Sequence, residues 1–189
     1  MADYGIRKYR LKGVLLKRAL LDGFSVTDNA LCTDSEGSGV HSAFLPGIDS
    51  AKPNCAWGRV SMKCQLEPES MITIRAFASD QDSIIRNDEV VKIDDFLLDP
   101  DVPKQEKERL FLMAGGLERS GVRDVLLTGQ NGRWLWIWLE INGEAIYESR
   151  PYAKSSQKGI YYTQKPGAVY AIAESYPWGE IDLPEDTFN

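Results

Sequence analysis

The segment Gly129-Gln130-Asn131-Gly132-Arg133-Trp134-Leu135-Trp136-Ile137-Trp138-Leu139-Glu140-Ile141-Asn142-Gly143 constrains the fold more than any other part of the chain. Side chains alternate between the two faces of an extended strand. That places Leu135, Ile137, Leu139 and Ile141 on one side and Trp134, Trp136 and Trp138 on the other. A strand apolar on both faces is covered on both faces, so it belongs inside a sheet. Three of the five tryptophans therefore share one face of one strand. Either they fill a core or an interface, between two sheets or between the sheet and a helix, or they form an open platform. Large aromatics bury roughly 150–250 Å² each, and three left open would make an apolar patch that soluble monomers rarely carry. A covered face is the expectation, and the platform is the alternative.

The rest of the chain reads as strands separated by turns. From Gly58 to Leu66, Val60, Met62, Cys64 and Leu66 alternate with polar residues. Met71 to Ser79 repeats the pattern with Ile72, Ile74, Ala76 and Ala78, and the short Glu67-Pro68-Glu69-Ser70 link predicts a hairpin between the two. Asp80 to Asp101 is acidic and loop-like, with one strand candidate at Val90 to Ile93. A helix is expected after Asp101-Val102-Pro103, with Asp101 as N-cap, Leu110, Phe111 and Met113 as its apolar contacts, and Gly115-Gly116 as its stop. Val122 to Thr128 reads as another strand, and Asn142-Gly143 as a tight turn returning through Glu144 to Ser149. Strands at Gly159 to Gln164 and Ala168 to Ala173 follow. This order, without βαβ alternation, indicates a mainly β protein, an antiparallel, jelly-roll-like β-sandwich with one short helical excursion and extended terminal arms. The expected divisions are a basic N-terminal arm at 1–21, the sandwich at 22–174 with its excursion at about 101–116, and an acidic tail at 175–189.

A length of 189 residues, 43% hydrophobic and 26% charged, suits one domain with a sizeable core. A net charge of −6 and a pI near 4.9 argue against a nucleic-acid partner. No run is long enough to span a bilayer, and no signal peptide is expected. Cys32, Cys55 and Cys64 are odd in number and lack CxxC spacing, which suits reduced thiols. The single histidine, His41, sits in a Ser/Gly/Pro-rich loop region with no nucleophile motif around it. Zinc-type spacing is absent, and Asp80-Gln81-Asp82 with Asp88-Glu89 does not follow a calcium loop. No catalytic residue, metal or cofactor is expected, and the chain reads as a non-enzyme.

Two stretches together carry a resemblance. Cys55-Ala56-Trp57-Gly58-Arg59-Val60 is followed by Ile72-Thr73-Ile74-Arg75-Ala76-Phe77-Ala78-Ser79-Asp80, and then Leu126-Leu127-Thr128-Gly129 by Gly132-Arg133-Trp134-Leu135-Trp136. Over roughly residues 50 to 145 this order resembles the phage tail protein domain of contractile phage tails and phage-tail-like contractile injection particles. The resemblance implies a structural protein, a baseplate or virion component that assembles in the bacterial cytoplasm with other tail proteins and copies of itself. Opposed charges at the two ends would then supply assembly contacts, Arg7, Lys8, Arg10 and Lys12 on one side and Glu180, Asp182, Glu185 and Asp186 on the other. The alternative is a carbohydrate-binding or host-recognition module, with a polysaccharide stacked on Trp134, Trp136 and Trp138 and Arg133 as a polar handle.

Overall fold

The computed structural model describes residues 7–10, 14–27, 30–33, 38–64, 70–144 and 168–176. In chain order the elements are β1 (Arg7–Arg10), α1 (Val14–Arg18), β2 (Leu20–Asp22), β3 (Phe24–Thr27), β4 (Ala30–Thr33), β5 (Ser38–Phe44) and β6 (Ile48–Asp49). There follow β7 (Ala56–Cys64), β8 (Met71–Ser79), β9 (Ser83–Arg86), β10 (Glu89–Lys92), α2 (Ile93–Leu97) and α3 (Lys104–Met113). The last are β11 (Leu117–Ser120), β12 (Asp124–Leu126), β13 (Trp134–Glu144) and β14 (Ala168–Tyr176). One sheet runs β12-β7-β14-β4-β3, with β1 also on β14. The second runs β11-β8-β13-β5-β2, with β6 pairing the first residues of β13. All of the described pairings are antiparallel, and the two sheets form the expected β-sandwich.

The alternation read from the sequence sorts the core into two layers. Leu135, Ile137, Leu139 and Ile141 of β13 join Ile72, Ile74 and Ala76 of β8 and Trp57, Val60 and Met62 of β7 between the sheets. Trp136 and Trp138 face the other way and pack with Phe44, Phe77, Phe96, Leu97 and Phe111 under α2 and α3. The indoles thus fill the space between a sheet and a helical layer. Chain geometry explains how that layer arises, because residues 80–116 leave the end of β8 and return to its edge as β11, which pairs Leu117 with Ala76.

Several local expectations are corrected. β7 and β8 are not a hairpin, since β7 pairs β12 and β14 while β8 pairs β11 and β13. Each of these strands buries one apolar face against the opposite sheet, and crossing between sheets satisfies both faces. Asn142-Gly143 makes no turn, because β13 runs through both to Glu144 and pairs Ser38 to Val40 of β5 there. Glu144, the expected start of the return strand, ends β13 instead; residues 145–149 and the strand expected at 159–164 lie outside the described residues. Asp80 to Asp101 holds the β9–β10 hairpin and α2 rather than loop. The single helical excursion becomes α2 plus α3, and α1 is a further helix. Pro103, not Asp101, caps α3, with no side-chain cap bond. Phe111 is buried as expected, whereas Met113 is 80% exposed. The expected glycine stop holds: Gly115 has φ +72°, its N–H reaches Leu112 O at 3.1 Å and that of Gly116 reaches Phe111 O at 2.9 Å. The strand expected at 122–128 is shorter, Asp124–Leu126, and that at 168–173 is longer, reaching Tyr176. Among the described residues, no helix is long and apolar enough to cross a membrane.

If the helical layer is integral to the fold, Phe111→Ala destabilises the whole protein by about 3–5 kcal/mol, the usual cost of removing a buried aromatic ring. Urea unfolding followed by far-UV circular dichroism reads this. A loss below about 1 kcal/mol would mean that the layer is a detachable cover.

Candidate functional site

The aromatic side chains of the second layer form one continuous series. Trp134 stacks on Trp136 at 6.2 Å, and Trp136 on Phe77 at 5.0 Å. Phe77 meets Phe111 edge-on at 4.8 Å, Phe111 meets Trp138 at 5.8 Å, and Trp138 stacks on Phe44 at 4.6 Å. Offset-stacked and edge-on pairs are the favoured arrangements of aromatic quadrupoles. Asp94 of α2 locks the series to the sheet. Its Oδ1 accepts from Trp136 Nε1 at 2.9 Å and from Gly47 N at 2.8 Å, and its Oδ2 faces Arg18 Nη2 at 3.3 Å. Gly47 has to be glycine for this approach, because a Cβ there would sit 2.8 Å from Trp136 Nε1.

Cations close the series from above. The Arg75 guanidinium lies 4.0 Å from the Trp138 ring centre and pairs with Glu118 at 2.5 Å and Glu140 at 3.6 Å. Lys107 is 2% exposed; its Nζ donates to Asp99 O at 2.7 Å and lies 4.9 Å from the Phe44 ring. Burial holds its pKa below the ordinary lysine value, and the charge of Asp99 partly offsets this.

These contacts decide the fate of the three-indole platform. Trp136 and Trp138 are each 1% exposed, so neither offers a face to a sugar ring. Trp134, at the outer end, is only partly buried. Its neighbour Arg133, the expected polar handle, lies with its guanidinium 5.4 Å from the Trp134 ring centre. Arg133 donates from Nε to Asp49 Oδ1 and from Nη2 to Asp49 Oδ2, both at 2.7 Å. The hydrogen bond from Arg133 holds the Asp49 carboxyl below the usual aspartate range, against the opposing effect of burial. The Arg133 backbone is held as firmly. Its N–H donates to Asp80 Oδ1 at 2.8 Å, and its carbonyl accepts from Ser50 N and Ser50 Oγ, each at 2.8 Å. The corner made by Trp134, Arg133 and Asp49 is the candidate site.

Other sequence candidates fall elsewhere. Arg7, Lys8 and Arg10 lie on β1, in register with Ser175, Glu174 and Ile172 of β14. Lys12, Glu180, Asp182, Glu185 and Asp186 lie outside the described residues. His41 is not in a loop; it lies within β5, is 7% exposed, and its Nδ1 is 2.9 Å from Gly23 O. Among the described residues no group of three His, Cys, Asp or Glu side chains is placed to hold a metal. Asp80 is engaged by backbone N–H groups, and Asp82 by Ser83 Oγ at 2.7 Å and Lys92 Nζ at 3.8 Å. The sequence reading missed Asp49, Asp94 and Lys107. Only Asp49 carried a local signal, as a turn-forming Asp whose Oδ1 accepts from Ala51 N at 2.7 Å.

No protein-family model matches the chain. Short segments match curated proteins. Tissue alpha-L-fucosidase of Bos taurus is 54% identical over 48 residues, covering 24% of this chain and 10% of that protein. Tissue alpha-L-fucosidase of Homo sapiens is 49% identical over 43 residues, 21% of this chain and 9% of that protein. Alpha-L-fucosidase of Branchiostoma floridae is 40% identical over 43 residues, 21% of this chain and 10% of that protein. The chain spans about a tenth of the length of the curated relatives that it matches. These similarities overturn the expectation of a structural subunit of a contractile tail, injection particle or baseplate. They agree better with the alternative reading.

Two outcomes follow from the charges. Because Asp49 titrates lower in the folded chain than in the unfolded one, its pairing stabilises the fold above the ordinary aspartate range. That contribution is lost as pH falls through the lowered folded value. Asp49→Asn therefore flattens the loss of stability on acidification below about pH 4, read by urea unfolding at stepped pH; an unchanged slope would refute the pairing. Lys107 has the opposite sense. The unfolded chain holds its proton to higher pH, so stability rises with pH between the lowered folded value and the ordinary one. Lys107→Met keeps the apolar stem, removes that rise, and leaves stability at pH 7 unchanged or higher by up to about 2 kcal/mol. A loss above about 1 kcal/mol would show that the bond to Asp99 O outweighs the burial of charge.

Proposed function

We propose that this chain is a non-catalytic carbohydrate-binding β-sandwich module whose contact surface is the Trp134, Arg133 and Asp49 corner. The observation that carries this reading is the local identity to alpha-L-fucosidases, 54% over 48 residues in the bovine protein. The ligand class it favours is a glycan bearing α-L-fucose. The corner has the chemistry that such a ligand needs. An indole offers an apolar surface to the C–H groups of a pyranose ring. A guanidinium supplies donors and a carboxylate supplies acceptors, the two capacities that a sugar hydroxyl uses. The guanidinium is held by Asp49, the Asp49 carboxylate is tied to Ala51 N, and the Arg133 backbone N–H is bound by Asp80, so little ordering is required on binding. Burial of His41 inside the sandwich takes the only histidine away from this surface.

Titration with α-L-fucosyl oligosaccharides, followed by tryptophan fluorescence and calorimetry, tests the reading. Saturable binding is expected. Trp134→Ala weakens it about tenfold or more, with the thermal transition retained, while Leu126→Ala, an exposed position on the other sheet, leaves it unchanged. Absence of saturable binding across these and a broad glycan panel, or full affinity in Trp134→Ala, would refute it.

A further inference from the structure

We infer that Asp49 sets the charge preference of this corner: by filling the guanidinium fork of Arg133 it makes the surface one for uncharged sugars and turns away sulfated or carboxylated ones. The inference rests on the carbohydrate-binding reading above.

An arginine beside a partly open indole is, taken alone, an anion receptor, because its planar fork presents parallel donors to a carboxylate or sulfate. Here the fork is taken by two bonds of 2.7 Å to the two oxygens of one carboxylate. The pairing is set by the sheet as well as by the side chains. Asp49 is the register partner of Trp134 across β6 and β13, and its Oδ1 is tied back to Ala51 N. Asp49 is therefore fixed opposite the start of β13, within reach of residue 133.

The surroundings add negative charge. Asp80 is exposed and accepts from Asn54 N and Arg133 N. Asp82 also acts on Arg133 through space. Lys92 offsets Asp82 at 3.8 Å, and Lys52 is not a free cation, being engaged in contacts of its own. Around Arg133, Asp49 fills the guanidinium fork, Asp82 acts through space, and Asp80 holds the backbone N–H. An incoming sulfate or uronate must either break the Arg133–Asp49 pair or sit among like charges. A neutral hydroxyl meets no such barrier. It can take a donor from the guanidinium, which has five N–H groups, and it can donate to a remaining lone pair of Asp49.

The experiment compares a sulfated fucan with its desulfated form on wild type and Asp49→Asn. The amide keeps an oxygen for Ala51 N and removes the charge, and a matching thermal transition checks the fold. Wild type is expected to bind the desulfated fucan at least about tenfold more tightly than the sulfated one, and Asp49→Asn to lose or reverse that preference. Equal binding of the two fucans by wild type, or an unchanged preference in the variant, would overturn the inference. If wild type binds neither fucan, the carbohydrate reading is what suffers. The masking of Arg133 is then decided by the variant: a gain of saturable binding to the sulfated fucan supports it, and no gain overturns it.

Discussion

From Leu135 to Leu139 every side chain of β13 is buried, and the rest of the structure is arranged to make that possible. A strand facing only one core would leave three indoles in water. Here the Leu and Ile face is covered by the opposite sheet, and the Trp face by α2 and α3. On its edges β13 is hydrogen-bonded to β8 on one side and to β5 and β6 on the other. Its backbone is paired and both of its faces are covered at once, which is the condition for burying a strand at the centre of a three-layer stack.

The helical layer holds its place by a few polar anchors more than by its own propensity. α2 is five residues long, and a helix of that length is not stable alone. Asp94 compensates by bonding an indole N–H of the sheet and a backbone N–H of the loop after β5. Arg86 of the hairpin pairs with Glu106 of α3, and Lys104 reaches Glu140 of β13 at 3.3 Å. Arg75 of β8, whose guanidinium lies over Trp138, also reaches Glu108 of α3 at 4.0 Å. Arg86–Glu106 joins two parts of the layer, whereas the Asp94 and Lys104 links run to distant parts of the chain, so the layer is anchored on a folded sheet.

Strands with strict alternation were legible in the sequence because burial on a known face is a local property of the pattern. Met71–Ser79 matches the expected bounds, and Trp134–Glu144 matches in its two-faced burial. The glycine stop of α3 was equally local. Pairing was not. Whether β7 and β8 form a hairpin or cross between sheets depends on what covers their faces, and the pattern is the same in both arrangements. The Asn142-Gly143 signal was real as a propensity and was overridden by pairing with β5. Of the site, Arg133 and Trp134 were visible as an outlying cation and aromatic. Asp49 and Asp94 were not, since each acts across 84 and 42 positions of sequence respectively.

The same covering layer explains why recognition belongs at a rim. On a sandwich without the 80–116 segment, the Trp134, Trp136 and Trp138 face would be an open aromatic strip. With it, two of the three indoles become core, and Trp134 alone is left at the margin of the layer. That loss of area comes with a gain in order. Trp134 is stacked on Trp136, Trp136 is fixed by Asp94 and Phe77, and the adjoining Arg133 is held through both its backbone and its fork. A small, rigid corner gives up contact area but loses little entropy on binding, so its selectivity depends on which polar groups are already committed. In this corner the committed group is the guanidinium, and the carboxylate that commits it comes from a strand of two residues.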